Sequence, residues 1–231
     1  MVPIVERLAQ AALPHVAFDG WSEESFRAAC ADCEIEPGLA RVYAPRGPID
    51  LAVVAHEMGD ARLKEELASR DLSGLRFSAR VVEAIMLRLE AAGDREVVRR
   101  ASSLFALPQH GAEGAKLIWH TADTIWTALG DTSADFNWYS KRMTLSGIYA
   151  ATVVYWLGDE SEGYADTRDF VARRIAGVMK IESTKAKLRK NPLTSPLMGL
   201  QAKLAGLVKA PVSVQPVQEE PAQPQGDRHD D

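Results

Sequence analysis

The stretch SEESFRAACADCEIEPGLARVYAPRGPID, residues 22–50, sets the architecture. Ser22 followed by Glu23 and Glu24 starts a helix, with acids in the first turn where the helix dipole favours them. Pro37-Gly38 closes that helix and opens a short one through Leu39 to Tyr43. Pro45, Gly47 and Pro48 break the chain again, and Asp50 stands at the start of a long helix reaching about Ser69. Upstream, Val5, Leu8, Ala12 and Leu13 fall at helical spacing. Three short helices with tight turns in residues 1–48 have the size and rhythm of a helix-turn-helix module.

Helical spacing continues beyond it, and sustained period-2 alternation is absent. Further helices are expected at about 76–92, 94–106, 112–129, 137–157 and 163–181, divided by Gly93-Asp94, LPQHG and GDTSAD. The fold class is therefore all-α, with about ten helices. The expected divisions are a three-helix module at 1–48, a helical body at 49–182, a basic linker with an amphipathic helix at 183–210, and a tail at 211–231. The tail is rich in Pro, Gln and acid, a composition that cannot pack a core. The layout is similar to TetR-type regulators, a small DNA-reading head on a ligand-binding body. That analogy concerns the fold alone.

Charge argues against reading DNA. The chain has 231 residues and a formal net charge of −5. Residues 1–69 hold twelve acids against six bases, and six of the acids fall between Asp19 and Glu36. A duplex is met through phosphate-neutralising Lys and Arg, so such a head repels it. The candidate recognition helix, GLARVYAP, offers only Arg41 and Tyr43 to base edges. No nucleic-acid partner is expected. A TetR-type ligand-responsive transcription regulator remains the alternative function.

The N-terminus carries Glu6 and Arg7 where a secretory leader would be apolar. The longest uncharged run, Met143 to Gly158, is too short and too polar to span a bilayer. A cytoplasmic protein that touches a membrane is the expectation.

The chain lacks a phosphate-binding loop, a nucleophile elbow and a zinc-protease signature. His56-Glu57-x-x-Asp60 and His120-x-x-Asp123 each fall short of the three ligands a catalytic metal needs. Cys30 and Cys33 lie in a helical pattern, with no strand beside them to make a redox motif. Neither enzyme activity nor a catalytic residue, metal or cofactor is expected.

Residues Ser183 to Gln218 contain no acid, and Leu193, Leu197, Leu200, Leu204 and Leu207 form one narrow apolar stripe with Lys203 off it. Such a helix packs on the body or a second subunit, or lies in a membrane interface with its lysines towards anionic lipid.

The run D-F-N-W-Y-S-K-R-M-T-L-S-G-I-Y, residues 135–149, is more specific. With G-D-E-S-E-G and D-F-V-A-R-R-I at 158–175, W-x-x-A-D-x-I-W at 119–126 and G-W-S-E-E-S-F at 20–26, it resembles the ninth coenzyme-Q biosynthesis family. These are lipid-binding accessory proteins of ubiquinone biosynthesis. The resemblance implies a TetR-like fold that does not read DNA, and an isoprenoid, quinone-precursor lipid or phospholipid held in the body. It also implies a partner demethoxyubiquinone hydroxylase, or another quinone-ring hydroxylase, and a C-terminal helix at the membrane surface. A bacterial member would sit on the cytoplasmic side of the inner membrane, as a homodimer. Carried over from the family, the partner-docking patch is Asp135, Trp138, Tyr139 and Ile125. From the residues themselves, Ile148 to Leu157 is apolar nearly all round and needs cover on every side. Trp126, Ile148, Ala151 and Tyr155 are the candidate lipid-lining residues.

Overall fold

The computed structural model describes residues 2–133 and 136–189, with side chains for all of these except Phe136 and 181–189. The described residues form nine α-helices and one short 3-10 turn, with no strand among them. The leucine stripe from Leu193 to Leu207, Lys203 and the tail lie outside the described residues.

Helices α1 (Ile4–Asp19), α2 (Glu23–Asp32) and α3 (Pro37–Tyr43) form the head. Their starts follow from local chemistry. Ser22 and Ser25 satisfy each other's backbone N–H at the start of α2. The Glu36 carboxylate accepts from the Leu39 N–H, and Pro37 occupies the first turn of α3. Gly47, at φ +61°, turns the chain into α4 (Pro48–Ser69). The body comprises α5 (Phe77–Ala91), α6 (Arg95–Phe105), α7 (Gly111–Ala128), α8 (Phe136–Trp156) and α9 (Ala165–Arg189). Asp94 caps α6. Asp159 caps the start of α9, accepting from the N–H and hydroxyl of both Ser161 and Thr167.

Two apolar cores form. Leu8, Val16, Phe26, Cys30 and Leu51 close the head core, and Leu63, Ile85, Leu89, Ile125 and Val171 belong to the body core. Each fully buried Leu or Ile here contributes roughly 1.5–3 kcal/mol. Helix α4 threads both cores, with Leu51 in one and Leu63 in the other. Arg46 ties head to body by pairing with Asp50 and, through both terminal nitrogens, with Glu113 of α7. Arg95 and Arg99 of α6 both donate to the Leu157 carbonyl at the end of α8.

Its apolar sequence predicted that α8 is covered on every side from Ile148 to Leu157, and it is not. Ile148, Tyr149, Thr152 and Trp156 are buried, but Met143, Gly147, Ala151, Val154 and Tyr155 form an exposed stripe. Val154 is 72 % exposed. Among the described residues, no helix is long and apolar enough to cross a membrane.

Candidate functional site

Three features converge on α7 and α8. The first is a three-ring cluster at the start of α8. Trp138 meets Tyr139 edge-on with centroids 4.8 Å apart, and Trp119 of α7 lies 5.9 Å from Trp138. All three rings are half-buried. Beneath Trp138 the Arg142 guanidinium sits 4.0 Å from the ring centroid, a cation–π contact. Arg142 is only 2 % exposed. Its charge is matched by Asp123 at 2.5 Å and Asp131 at 3.0 Å, as a buried cation requires. Asp131 also accepts from Lys141 and from the Ser133 hydroxyl. Burial works to raise the Asp131 pKa, but its bonds to Lys141, Ser133 and Arg142 hold it at about 2. The Trp126 indole N–H donates to the Lys141 carbonyl, so α7 is pinned to α8 here.

Trp138 and Tyr139 of the expected docking set thus lie together at the surface. Asp135 lies outside the described residues. Ile125 does not belong with them. It is 0 % exposed and sits in the body core, because that face of α7 packs inward. Arg142, Asp131 and Trp119, which hold the cluster in place, are the residues missed from sequence. The Lys141-Arg142 pair beside Trp138 was the available signal.

The second feature is a half-open cavity of about 580 Å³ beside this cluster. Trp126 and Ile148 line it together with Phe77, Lys141, Leu145 and Met179. Phe77 stacks on Trp126 at 5.6 Å. Of the four expected lipid-lining residues, these two face a cavity. Ala151 and Tyr155 line neither described cavity. Ala151 is exposed, and Tyr155 stacks on Phe170 of α9 at 4.5 Å. The reason is helical phase, since 151 and 155 fall on the outer face of α8.

The third feature is a cavity of about 430 Å³ at the seam of head and body, bounded by α1, α4, α5, α6, α7 and α8. Its walls are mainly alanine, valine and leucine, but His56, Arg88 and Tyr149 also line it. Arg88 is 2 % exposed. Its Nε donates to Asp60 Oδ1 at 2.7 Å and its Nη2 to the His56 carbonyl at 3.0 Å. The guanidinium lies flat against Gly59, where a Cβ would come within 2.7 Å of Nη1. The Tyr149 ring is 5.9 Å away. Asp60 also accepts from the Thr121 hydroxyl at 2.8 Å and faces His120 Nδ1 at 3.0 Å. A carboxylate can only accept, so the single Thr121 proton goes to Asp60, and Thr121 accepts in turn from His56 Nε2. The remaining His56 nitrogen then carries a lone pair. Burial, with Arg88 adding to it, lowers the His56 pKa to about 4, so the ring is neutral. Burial raises the Tyr149 pKa, so its hydroxyl keeps its proton.

Comparison with known proteins gives these features a family context. Residues 111–182, spanning α7, α8 and most of α9, match the COQ9 family model. The chain is 29 % identical over 186 residues to the mitochondrial ubiquinone biosynthesis protein COQ9 of Drosophila melanogaster, covering 76 % of this chain and 55 % of that one. It is 34 % identical over 110 residues to the COQ9 protein of Rattus norvegicus, covering 47 % and 35 %. For Schizosaccharomyces pombe the figures are 30 % over 143 residues, covering 59 % and 55 %. The chain therefore spans about a third to a half of the length of these curated relatives. Among solved structures, a TetR transcriptional regulator from Nitrosomonas europaea superposes with a TM-score of 0.62, covering 76 % of this chain and 97 % of that one. At 22 % identity that likeness shows the fold alone.

Proposed function

From its similarity to the COQ9 family of ubiquinone-biosynthesis proteins, we propose that this chain is a member of it and a non-enzymatic lipid-binding accessory protein. It presents a polyprenylated quinone precursor, at a membrane surface, to a ring hydroxylase. The observation that carries the reading is the ring cluster of Trp119, Trp138 and Tyr139 on a buried, doubly paired Arg142, inside the matched segment. Half-exposed aromatic rings held on a rigid base are the usual anchors of a protein interface. The cavity beside it, lined by Trp126 and Ile148, supplies an apolar niche within reach of that anchor.

The physical need is clear. Each Å² of prenyl tail drawn into water costs about 25 cal/mol, so an apolar niche next to the partner lowers the barrier to transfer. The exposed α8 stripe of Met143, Gly147, Ala151 and Val154 fits a second copy of the chain, and the leucine stripe from Leu193 to Leu207 fits the membrane contact.

A regulator sharing this fold would need basic side chains on α3. Arg41 is instead held by both oxygens of Glu23 at 2.7 Å, and α3 exposes Leu39, Val42 and Tyr43. A gel-shift assay against the gene's own upstream DNA separates the two readings, since salt-sensitive binding would favour the regulator.

The central test is mass spectrometry of lipid extracted from the purified protein. It is paired with pull-down of a quinone-ring hydroxylase by wild type and by Trp138→Ala. Co-purified isoprenoid or phospholipid, and capture lost in the variant, support the proposal. A lipid-free protein, or equal capture by both, removes it.

A further inference from the structure

Helix α7 starts beside the head, where Glu113 meets Arg46, and reaches Trp126 about 20 Å further on. At that far end the link between α4 and α5, residues 70–76, comes to the surface next to α9. We propose that this end of the body is a second membrane contact, in which Leu75, Phe77 and Met179 enter the headgroup layer and Arg76 and Arg80 meet anionic lipid beside them. The inference rests on the membrane-surface reading above and adds to it which face of the body turns to the bilayer.

The apolar part is one patch. Leu75 is 42 % exposed, Phe77 37 % and Met179 41 %. Phe77 and Met179 both line the half-open cavity beside the ring cluster, so they stand at its rim. Leu75 is held two residues before Phe77 by a turn, its N–H donating to the Leu72 carbonyl. Large apolar side chains gathered at one surface mark an interaction site.

The charge says what kind of surface it meets. From Arg70 to Arg80 the chain carries three arginines and a single acid, Asp71, although its formal net charge is −5. Asp71 turns into its own loop and accepts from the Ser73 N–H. Arg70 is paired with Glu66 and Glu83. Arg80 donates to the Ser73 and Leu75 carbonyls, which use two of its nitrogens and leave its charge in place. Arg76 is exposed at the start of α5 and takes no part in capping it. Arg76 and Arg80 are therefore the pair available to an anion. A nucleic acid would use these two and leave the apolar patch in water, whereas an anionic bilayer takes both. The exposed Leu39, Val42 and Tyr43 of the head follow the acid-rich stretch from Asp19 to Glu36, which anionic lipid repels.

The chain continues from this patch towards the leucine stripe. Past Met179, α9 runs about 15 Å to Arg189, and its sequence there includes Lys185, Lys187 and Arg189. Two linked contacts reinforce each other on one surface, since the second forms within a complex already made. Three apolar side chains are too few to hold the protein by themselves, so the patch orients what the stripe anchors. With the patch on the bilayer, the cavity rim faces the acyl layer, and Phe77 leads inwards to Trp126, on which it stacks. A prenyl chain then passes between bilayer and niche without crossing water.

Flotation of the full chain on mixed phosphatidylcholine–phosphatidylglycerol vesicles, with pure phosphatidylcholine vesicles for comparison, tests this. Arg76→Glu and Leu75→Ser are each expected to bind the mixed vesicles about tenfold more weakly, the scale of reversing one charge or withdrawing one apolar side chain at an anionic surface. Arg76→Glu places an acid where the α5 dipole favours it, so lost binding is not lost folding. Val42→Ser on α3 should bind as wild type does. A second reading uses acyl chains brominated near the headgroup. They should quench the added fluorescence of Leu75→Trp and not that of Val42→Trp. Undiminished binding by Arg76→Glu and Leu75→Ser, with no quenching at position 75, would overturn this surface and leave the stripe as the membrane contact. Weakening by Arg76→Glu alone, again without quenching, would show attraction at a distance and overturn entry into the headgroup layer. A wild-type protein that floats with neither kind of vesicle would remove the membrane reading itself, and this surface with it.

Discussion

Gly59→Ala pits helix propensity against one buried contact. Gly59 lies inside α4, where alanine is favoured over glycine by about 1 kcal/mol in an exposed helix. Here the new methyl would stand 2.7 Å from Arg88 Nη1, 2.8 Å from Cζ and 3.0 Å from Nη2. All three atoms belong to one planar group, so no torsion of the guanidinium alone relieves them together. The group is pinned by Asp60 and the His56 carbonyl and is 2 % exposed, so moving it away from Gly59 means stretching those two bonds. Accommodating the methyl means loosening a buried ion pair, which costs roughly 3–5 kcal/mol when fully broken. The net expectation is a loss of about 2–4 kcal/mol. For a chain of this size that is a fall in Tm of roughly 4–16 °C. Gly147→Ala supplies the control, since its Cβ would meet nothing within 4 Å and α8 should gain stability. Thermal and urea denaturation of both variants measure the difference. The Arg88→Met background adds a cycle in which the Gly59→Ala penalty should vanish. A stable Gly59→Ala protein, or an equal penalty with Met at position 88, would refute the account of Arg88.

Acid should weaken the fold in two stages. The folded His56 pKa of about 4 lies below the ordinary 6.5, so the unfolded chain takes the proton more readily. The resulting stability is full above pH 6.5 and falls as pH drops towards 4, by a total on the order of 3 kcal/mol. Asp131, held at about 2 against an ordinary 3.8, contributes stability that is present above pH 4 and lost as pH falls through 2. Urea midpoints between pH 7 and 3 follow the first stage, and His56→Gln should flatten it; an unchanged slope would refute the assignment. Trp138→Ala should lower Tm by only a few degrees, because the lost cation–π contact is worth about 0.5–2 kcal/mol, whereas Ile125→Ala should cost about 2–5 kcal/mol as a core cavity. Calorimetry would expose the error if the two ranked the other way. Removing residues 190–231 should abolish binding to vesicles containing anionic lipid while leaving the melting curve intact; retained flotation would move the membrane contact to the helical body.

The helical layout was legible because its punctuation is local. Ser22, Pro37, Pro48 and Asp94 each fix a boundary within a turn of themselves, and the expected helix at 137–157 differs from α8 by one residue at each end. Resemblance singled out Trp138 and Tyr139, and the structure places the two half-buried rings against each other. What escaped was helical phase. Ile148 to Leu157 is apolar on every face, so the sequence holds no clue that residues 151 and 155 turn outwards while 149 and 153 line the seam. Ile125 failed for the same reason, being adjacent to Trp126 and facing the opposite way. The Asp60–Arg88–Thr121 cluster joins residues 28 and 61 positions apart, beyond any local pattern. One sign was nevertheless present. Asp60 stands three and seven residues before Leu63 and Leu67 on the same face of α4, and an acid on an apolar stripe requires a partner.

The alanines of the seam cavity decide how it behaves. Ala9, Ala52, Ala55, Ala101, Ala115 and Ala150 all contribute to its walls. A methyl side chain has no rotamer to change, so at these six positions the wall follows the helix backbones, while Leu13, Met58 and Phe105 are where it can adapt. Its bore is therefore graduated in single methyl groups. Each Ala→Val or Ala→Leu change shortens or narrows it at one known point, and a series of such variants would chart the space carbon by carbon.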